Sequence, residues 1–278
     1  MLFDTHLHLV YPDRLRYPWL DDAPALNRPS LMSDYARAAH RLGITDVLHM
    51  EVDVAPAQIR EETALVSDLM AERGSLLRGA ISSCRPEEDG FADLLDWAQD
   101  QPAIKGFRRI LHEMPDDLST TPTFRDNVKR LSGTGLTFDL CVYPRQHGHA
   151  VALIDHCPDV QFVLDHCGVP DIAAGGFDAW APGITEIAKR SNVVAKISGI
   201  VAYTDRDAWT LDDLRPYVAH VARQFGHDRL IWGSDSPVCN LGGGLETWVG
   251  ATHALTVDWL PGDRAALYAG NAKRLWSL

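Results

Sequence analysis

Short runs of apolar and β-branched residues alternate along the whole chain with longer stretches in which apolar positions recur every three or four residues. The short runs predict strands near 1–7, 45–51, 75–82, 103–110, 136–143, 160–165, 193–199 and 229–234. The longer stretches predict helices at about 33–42, 56–73, 88–100, 122–132, 147–156, 178–190, 211–225 and 244–257. Gly43, Gly74 and Gly226 follow helical segments as C-terminal caps do, and Pro56 and Pro122 sit near helix starts, where a missing N–H costs nothing. Val160–Leu164 and Leu230–Trp232 are continuous apolar runs, the pattern of parallel strands buried on both faces.

Eight β-then-α units predict an α/β fold, a (β/α)8 TIM barrel, although an open doubly wound sheet gives the same alternation. The length of 278 residues suits one such barrel. No Pro/Gly/Ser linker and no repeated block divides the sequence, so residues 1–278 are expected to form a single domain. Residues 261–278 predict an extra C-terminal helix. The Pro-rich segment 11–30 after the first strand is either a wall or lid over the barrel mouth or an ordinary surface loop.

Charge narrows the partners. The formal net charge is −12, which repels phosphate backbones and anionic membranes and leaves a small molecule as the expected partner. Five cysteines (Cys84, Cys141, Cys157, Cys167, Cys239) form no C-x-x-C, so reduced buried thiols are expected. Neither a signal peptide nor an apolar run of membrane-spanning length is visible, and a cytoplasmic protein is the expectation. The pattern leaves oligomeric state open.

The candidate chemistry sits where apolar strands finish, which in a barrel is where active sites are built. In Asp4-Thr5-His6-Leu7-His8 the two histidines are two apart and share a face of the first strand. The competing reading is a pair of satisfied buried histidines. Asp165-His166 ends the sixth strand and Asp235 follows the eighth, where it could instead cap the next helix. Arg108 and Arg109 end the fourth strand, and alternation lets only one face inward to grip a substrate carboxylate. Glu51 ends the second strand as a metal or substrate ligand, or as a structural partner. His112 and Glu113 follow the fourth strand into a loop, and Tyr143 ends the fifth. Lys196 shares parity with Ser198 on the seventh, and a buried lysine needs partners or a role. Gly242-Gly243-Gly244 lacks the Lys-Ser/Thr of a phosphate loop and reads as a flexible turn.

In order along the chain, Phe3-Asp4-Thr5-His6-Leu7-His8 with Tyr17-Pro18-Trp19-Leu20, Lys105-Gly106-Phe107-Arg108-Arg109, Val163-Leu164-Asp165-His166-Cys167-Gly168, Ile231-Trp232-Gly233-Ser234-Asp235-Ser236-Pro237 and the ending Gly270-Asn271-Ala272-Lys273-Arg274-Leu275 resemble the amidohydrolase superfamily of the amidohydrolase-2 type. Within it the chain resembles the lactonase branch of fucono- and rhamnono-lactone hydrolases and 2-pyrone-4,6-dicarboxylate lactonase. The resemblance implies a carboxylic ester hydrolase in which water attacks a lactone carbonyl. It makes Asp235 the general base. His6, His8 and His166 then bind a metal or polarise the carbonyl. Arg108, Arg109, Lys196, Tyr143, His112 and Trp19 are the candidates for substrate binding.

The binuclear pattern of that superfamily is incomplete here. Lys105 lies at the wrong end of its strand, and Thr137–Tyr143 has no histidine. The resemblance thus implies either one divalent ion, zinc or manganese, on His6, His8, Asp235 and Glu51, or no metal. Two rivals stand beside the lactonase: a metal-dependent non-oxidative decarboxylase on the same barrel, and a catalytically inactive binding barrel. A hydratase is a weaker third. Sugar-acid lactones need partners for hydroxyls and pyrone dicarboxylates need cationic clamps. Arg108, Arg109 and Lys196 would serve either.

Overall fold

The computed structural model describes residues 1–278. Eight strands, β1 (Leu2–Leu7), β2 (Ile44–Met50), β3 (Leu77–Ser83), β4 (Ile104–Ile110), β5 (Thr137–Cys141), β6 (Gln161–Leu164), β7 (Val193–Ser198) and β8 (Leu230–Gly233), pair in parallel in sequence order. β8 closes on β1: Asp235 N–H donates to His6 O at 2.8 Å and His8 N–H to Ser236 O at 2.8 Å. The barrel is therefore the predicted one rather than the open sheet.

Helices α1 (Met32–Leu42), α2 (Ile59–Ala71), α3 (Phe91–Gln99), α4 (Pro122–Lys129), α5 (His147–His156), α6 (Phe177–Ala188), α7 (Leu211–Phe225) and α8 (Leu245–Leu255) cover the outside. None is long and apolar enough to cross a membrane. Gly43 caps α1 with φ 74°, a left-handed conformation open to glycine at no steric cost. The helix expected over 56–73 begins as a single 3-10 turn, Pro56–Gln58, before α2. The expected C-terminal helix is present and runs without interruption as α9 (Pro261–Ala265), a π turn at Ala266–Gly270 and α10 (Asn271–Trp276).

The inside of the barrel is layered. Phe3, Leu48, Ile81, Val163 and Ile231 form an apolar cluster with Trp276 of α10. A register shift between Asp4 and Leu7 resets the alternation of β1. Phe3 thus joins the inner cluster and Leu7 packs outward, while His6 and His8 face the barrel axis.

Candidate active site

Asp235 stands where β8 has ended, in a left-handed conformation (φ 58°), and His166 does the same after β6 (φ 50°). Non-glycine residues are rarely held this way, and such strain collects at functional sites. Two glycines make the close approach possible. A Cβ at Gly199 would collide with the Asp235 carboxylate, and one at Gly233 would stand 2.7 Å from His6 Cβ.

Three imidazoles surround that carboxylate. Asp235 Oδ1 lies 3.3 Å from His8 Nε2 and 3.7 Å from His6 Nε2, and Oδ2 lies 3.8 Å from His166 Nδ1. His8 Nδ1 faces the Met50 and Glu51 carbonyls at 3.1 and 3.0 Å, so it carries the proton and Nε2 presents a lone pair. His166 Nδ1 is within 2.9 Å of Ser198 Oγ. Burial holds all three rings neutral: it drives His8 down to about 3 and His6 well below the usual histidine range, and it lowers His166. Burial also pushes Asp235 up to about 6, against the pull of His166 and Arg108.

Beneath lies a dry network of full charges. Lys196, fully buried, meets Asp139 and Asp165 at 2.8 Å each and approaches His6 Nδ1 at 3.2 Å. Arg108 donates through Nε to Glu51 Oε1 at 2.6 Å and through an Nη to the Glu51 carbonyl at 3.0 Å. Burial alone would lower both cations, but Asp139 and Asp165 raise Lys196, and Glu51 and Asp165 raise Arg108. Burial likewise presses Asp165 upward, yet Lys196 and His6 outweigh it and leave it well below the usual carboxylate range. Asp139, with less cationic help, is raised by burial.

A cavity of about 500 Å³ opens above this floor. Of the sequence candidates, His8, His166, Asp235, Arg108, His112, Tyr143 and Trp19 line it. His6 lies beneath them, within reach of Asp235. Three candidates are placed elsewhere. Arg109 points away from the axis and pairs with Glu87 at 2.7 Å, because β4 alternation gives the inside to Arg108. Lys196 is sealed below the cavity by its two aspartates. Glu51 is spent on Arg108 and on the Asp53 N–H (2.7 Å), and its carboxylate stands apart from the two groups that could hold an ion. His112 and Tyr143 meet edge to face at 5.3 Å, and Tyr143 donates to Glu113 at 3.0 Å.

Sequence reasoning passed over Asp139 and Tyr203. Asp139 alternates inward from an apolar strand, a signal that was available once β5 was assigned. Asp165 stands out beside His166 at the end of β6, but its partners Arg108 and Lys196 are remote in sequence. Tyr203 lines the cavity from the short helical turn after β7, where no periodic pattern marks it. The segment 11–30 is a wall: Val10 and Ser30 bridge each other, and Trp19 Nε1 donates to Val52 O at 2.8 Å.

The donors fit a divalent ion. His6, His8 and Asp235 form one candidate group and His6, Asp165 and His166 another, with ligand atoms within 4.8 Å of one another. Two acceptors, His8 Nε2 and Asp235 Oδ1, face each other at 3.3 Å, which calls for a shared proton or a cation. Tetrahedral ligands about 2.1 Å from zinc stand roughly 3.4 Å apart. Asp165 is held between Lys196 at 2.8 Å and Arg108 at 3.7 Å, with His6 Nδ1 at 3.4 Å.

A closed parallel barrel with buried carboxylates and imidazoles gathered at the C-terminal strand ends is the architecture of a barrel enzyme. The chain belongs to the amidohydrolase family, whose sequence profile matches residues 3–278. It is similar to L-fucono-1,5-lactonase of Burkholderia ambifaria, 33% identical over 196 residues that cover 66% of this chain and 64% of that one. It is also similar to L-fucono-1,5-lactonase of Burkholderia multivorans, 26% identical over 296 residues (99% and 95%). The crystal structure of an amidohydrolase from Burkholderia multivorans with bound zinc superposes with a TM-score of 0.89 at 24% identity, covering 100% of this chain and 99% of the other.

Proposed function

We propose that the protein opens a small lactone by attack of water on the ester carbonyl, with Asp235 as general base. Family membership and the lactonase-named relatives make it a carboxylic ester hydrolase. The observation that supports the mechanism is the Asp235 carboxylate, buried at the cavity floor and ringed by three neutral imidazoles. A base poised near 6 accepts a proton from water at neutral pH and returns it to the leaving oxygen without becoming a strong acid.

The rest of the floor supplies charge and orientation. Arg108 commits Nε and one Nη to Glu51, and its remaining Nη, 3.4 Å from His6 Nε2 and 3.7 Å from Asp165 Oδ2, is the one left to turn toward the oxyanion of the tetrahedral intermediate. His8, with its lone pair directed at Asp235, orients the water. His6 answers to two neighbours at Nδ1: engaging Asp165 it offers a lone pair at Nε2, and engaging Lys196 it offers an N–H. His6, His8 and Asp235 would hold a divalent ion, zinc or manganese, and the ion's chemistry would be polarisation of the ester carbonyl. Glu51 is left out of that ligand set.

The names of the relatives put sugar lactones first among compounds to test. The decarboxylase alternative needs a cation for a substrate carboxylate, and the one arginine in the lining, Arg108, is already paired with Glu51, so that reading requires the divalent ion. An acid-release assay with a pH indicator, run on a panel of γ- and δ-lactones with and without added zinc or manganese, is expected to show turnover on at least one. Silence across the panel, with decarboxylation of aromatic acids in its place, would overturn the reading.

A further inference from the structure

The cavity over Asp235 has two chemically different sides. Strand order sets β8, β1 and β2 side by side and β4 to β7 opposite them. Segments leaving β8, β1 and β2 line their side with Val10, Leu20, Leu26, Val52 and Val238, with His8, Asp22, Asp53 and Asp235 at the edges of this apolar patch. The first four of these are buried, so the wall is a finished apolar surface rather than loose loop. The facing side is more polar, with Arg108, His112, Glu113, Tyr143 and Tyr203 around Ile110 and Cys141. A volume of about 500 Å³ leaves room for more than a bare lactone ring.

The charged side chains of the lining disfavour an anionic substituent. Arg108 is the only lysine or arginine in the lining, and Glu51 neutralises it at 2.6 Å. Arg109 is outside on Glu87, and Lys196 is beneath on Asp139 and Asp165. Asp22, Asp53, Glu113 and Asp235 face the space with only Asp53 ion-paired to an arginine, through Arg85 at 2.7 Å. Burial keeps His112 neutral. A substrate carboxylate or sulfonate away from the ester would lose its hydration among carboxylates and meet no unpaired side-chain cation in return.

We propose that the substrate is an uncharged lactone bearing an apolar substituent, its ester over Asp235 and its substituent packed on the Val10–Leu20–Leu26–Val52–Val238 wall. This rests on the lactonase reading and adds the substrate class to it. Ring opening creates a carboxylate inside the same acid-lined space, so the pocket that admits the neutral ester repels the product. Weak product inhibition follows.

The test is kcat/KM on δ-valerolactone, its 5-alkyl homologues, gluconolactone and a carboxylated lactone. Each added methylene is expected to raise kcat/KM about 4-fold until the wall is covered. The carboxylated compound is expected to fall on the order of 10-fold or more below its uncharged counterpart, with the gap narrowing at high salt. Val52→Thr and Val238→Asn, two independent changes in case one misfolds, should each flatten the alkyl gradient more than they lower turnover of the unsubstituted ring. A flat or falling alkyl series, or preference for gluconolactone or the carboxylated compound, would overturn the proposal while leaving the lactonase reading intact. Absence of turnover on every lactone would overturn both.

Discussion

At Asp235 the backbone is left-handed, the side chain is buried, and burial pushes the carboxyl up to about 6 from an ordinary 3.8. The folded chain therefore holds this proton more tightly than the unfolded chain does. The stability carried by the protonated form is complete below about 3.8 and is lost as pH rises through about 6. Asp235→Asn should thus stabilise chelator-treated protein near pH 8 by on the order of 3 kcal/mol, with the gain absent near pH 4. Denaturant melts at the two pH values check this. The arginines separate in the same way. Arg108→Ala leaves Glu51 as an uncompensated buried charge, and should cost about 3–5 kcal/mol of stability and most of kcat/KM. Arg109→Ala breaks only the Glu87 pair outside the barrel and should leave kcat/KM unchanged. His6, His8, His166 and Asp235 were legible in the sequence because polar residues ending apolar strands stand out. The choice between Arg108 and Arg109 was not, because parity says that they differ without saying which is inside. The fates of Glu51 and Lys196 depend on Arg108, Asp139 and Asp165, up to 57 positions away in sequence.

Among the elements, the strands were the most legible, since runs buried on both faces leave little else to be. Their ends were less so. β5 was expected to reach Tyr143 but stops at Cys141, where pairing with β4 ends. The C-terminal helix was legible, but the π turn inside it at Ala266–Gly270 was not, and its last turn carries Trp276 into the cluster with Phe3, Leu48 and Ile81. α7 shows a local signal honoured in full: Thr210 and Asp213 form a capping box, with the Thr210 N–H donating to Asp213 Oδ2 at 2.7 Å. Thr210→Ala is expected to cost about 1 kcal/mol and leave activity untouched, measured by thermal melts beside the assay.

Over the whole molecule, the buried floor gathers more negative than positive charge: Asp4, Glu51, Asp139, Asp165 and Asp235 against Arg108 and Lys196. Protons relieve part of that excess, since burial raises Asp4, Asp139 and Asp235. A divalent cation would relieve it better. Adding zinc to chelator-treated protein should raise the melting temperature, by about 2.7 kcal/mol of stability at one hundred times Kd. His8→Ala should abolish the rise, and a melting temperature indifferent to zinc in the parent protein would mean that protons alone balance the floor. The central claim, that Asp235 is the base for lactone opening, is tested most directly by the pH dependence of kcat/KM for the best lactone in chelator-treated protein and in Asp235→Asn, side by side. The account predicts a rate that climbs about tenfold per pH unit to a bend near 6 in the parent, and a variant at least about 100-fold slower with no such bend. A variant that keeps both the rate and the bend would contradict it.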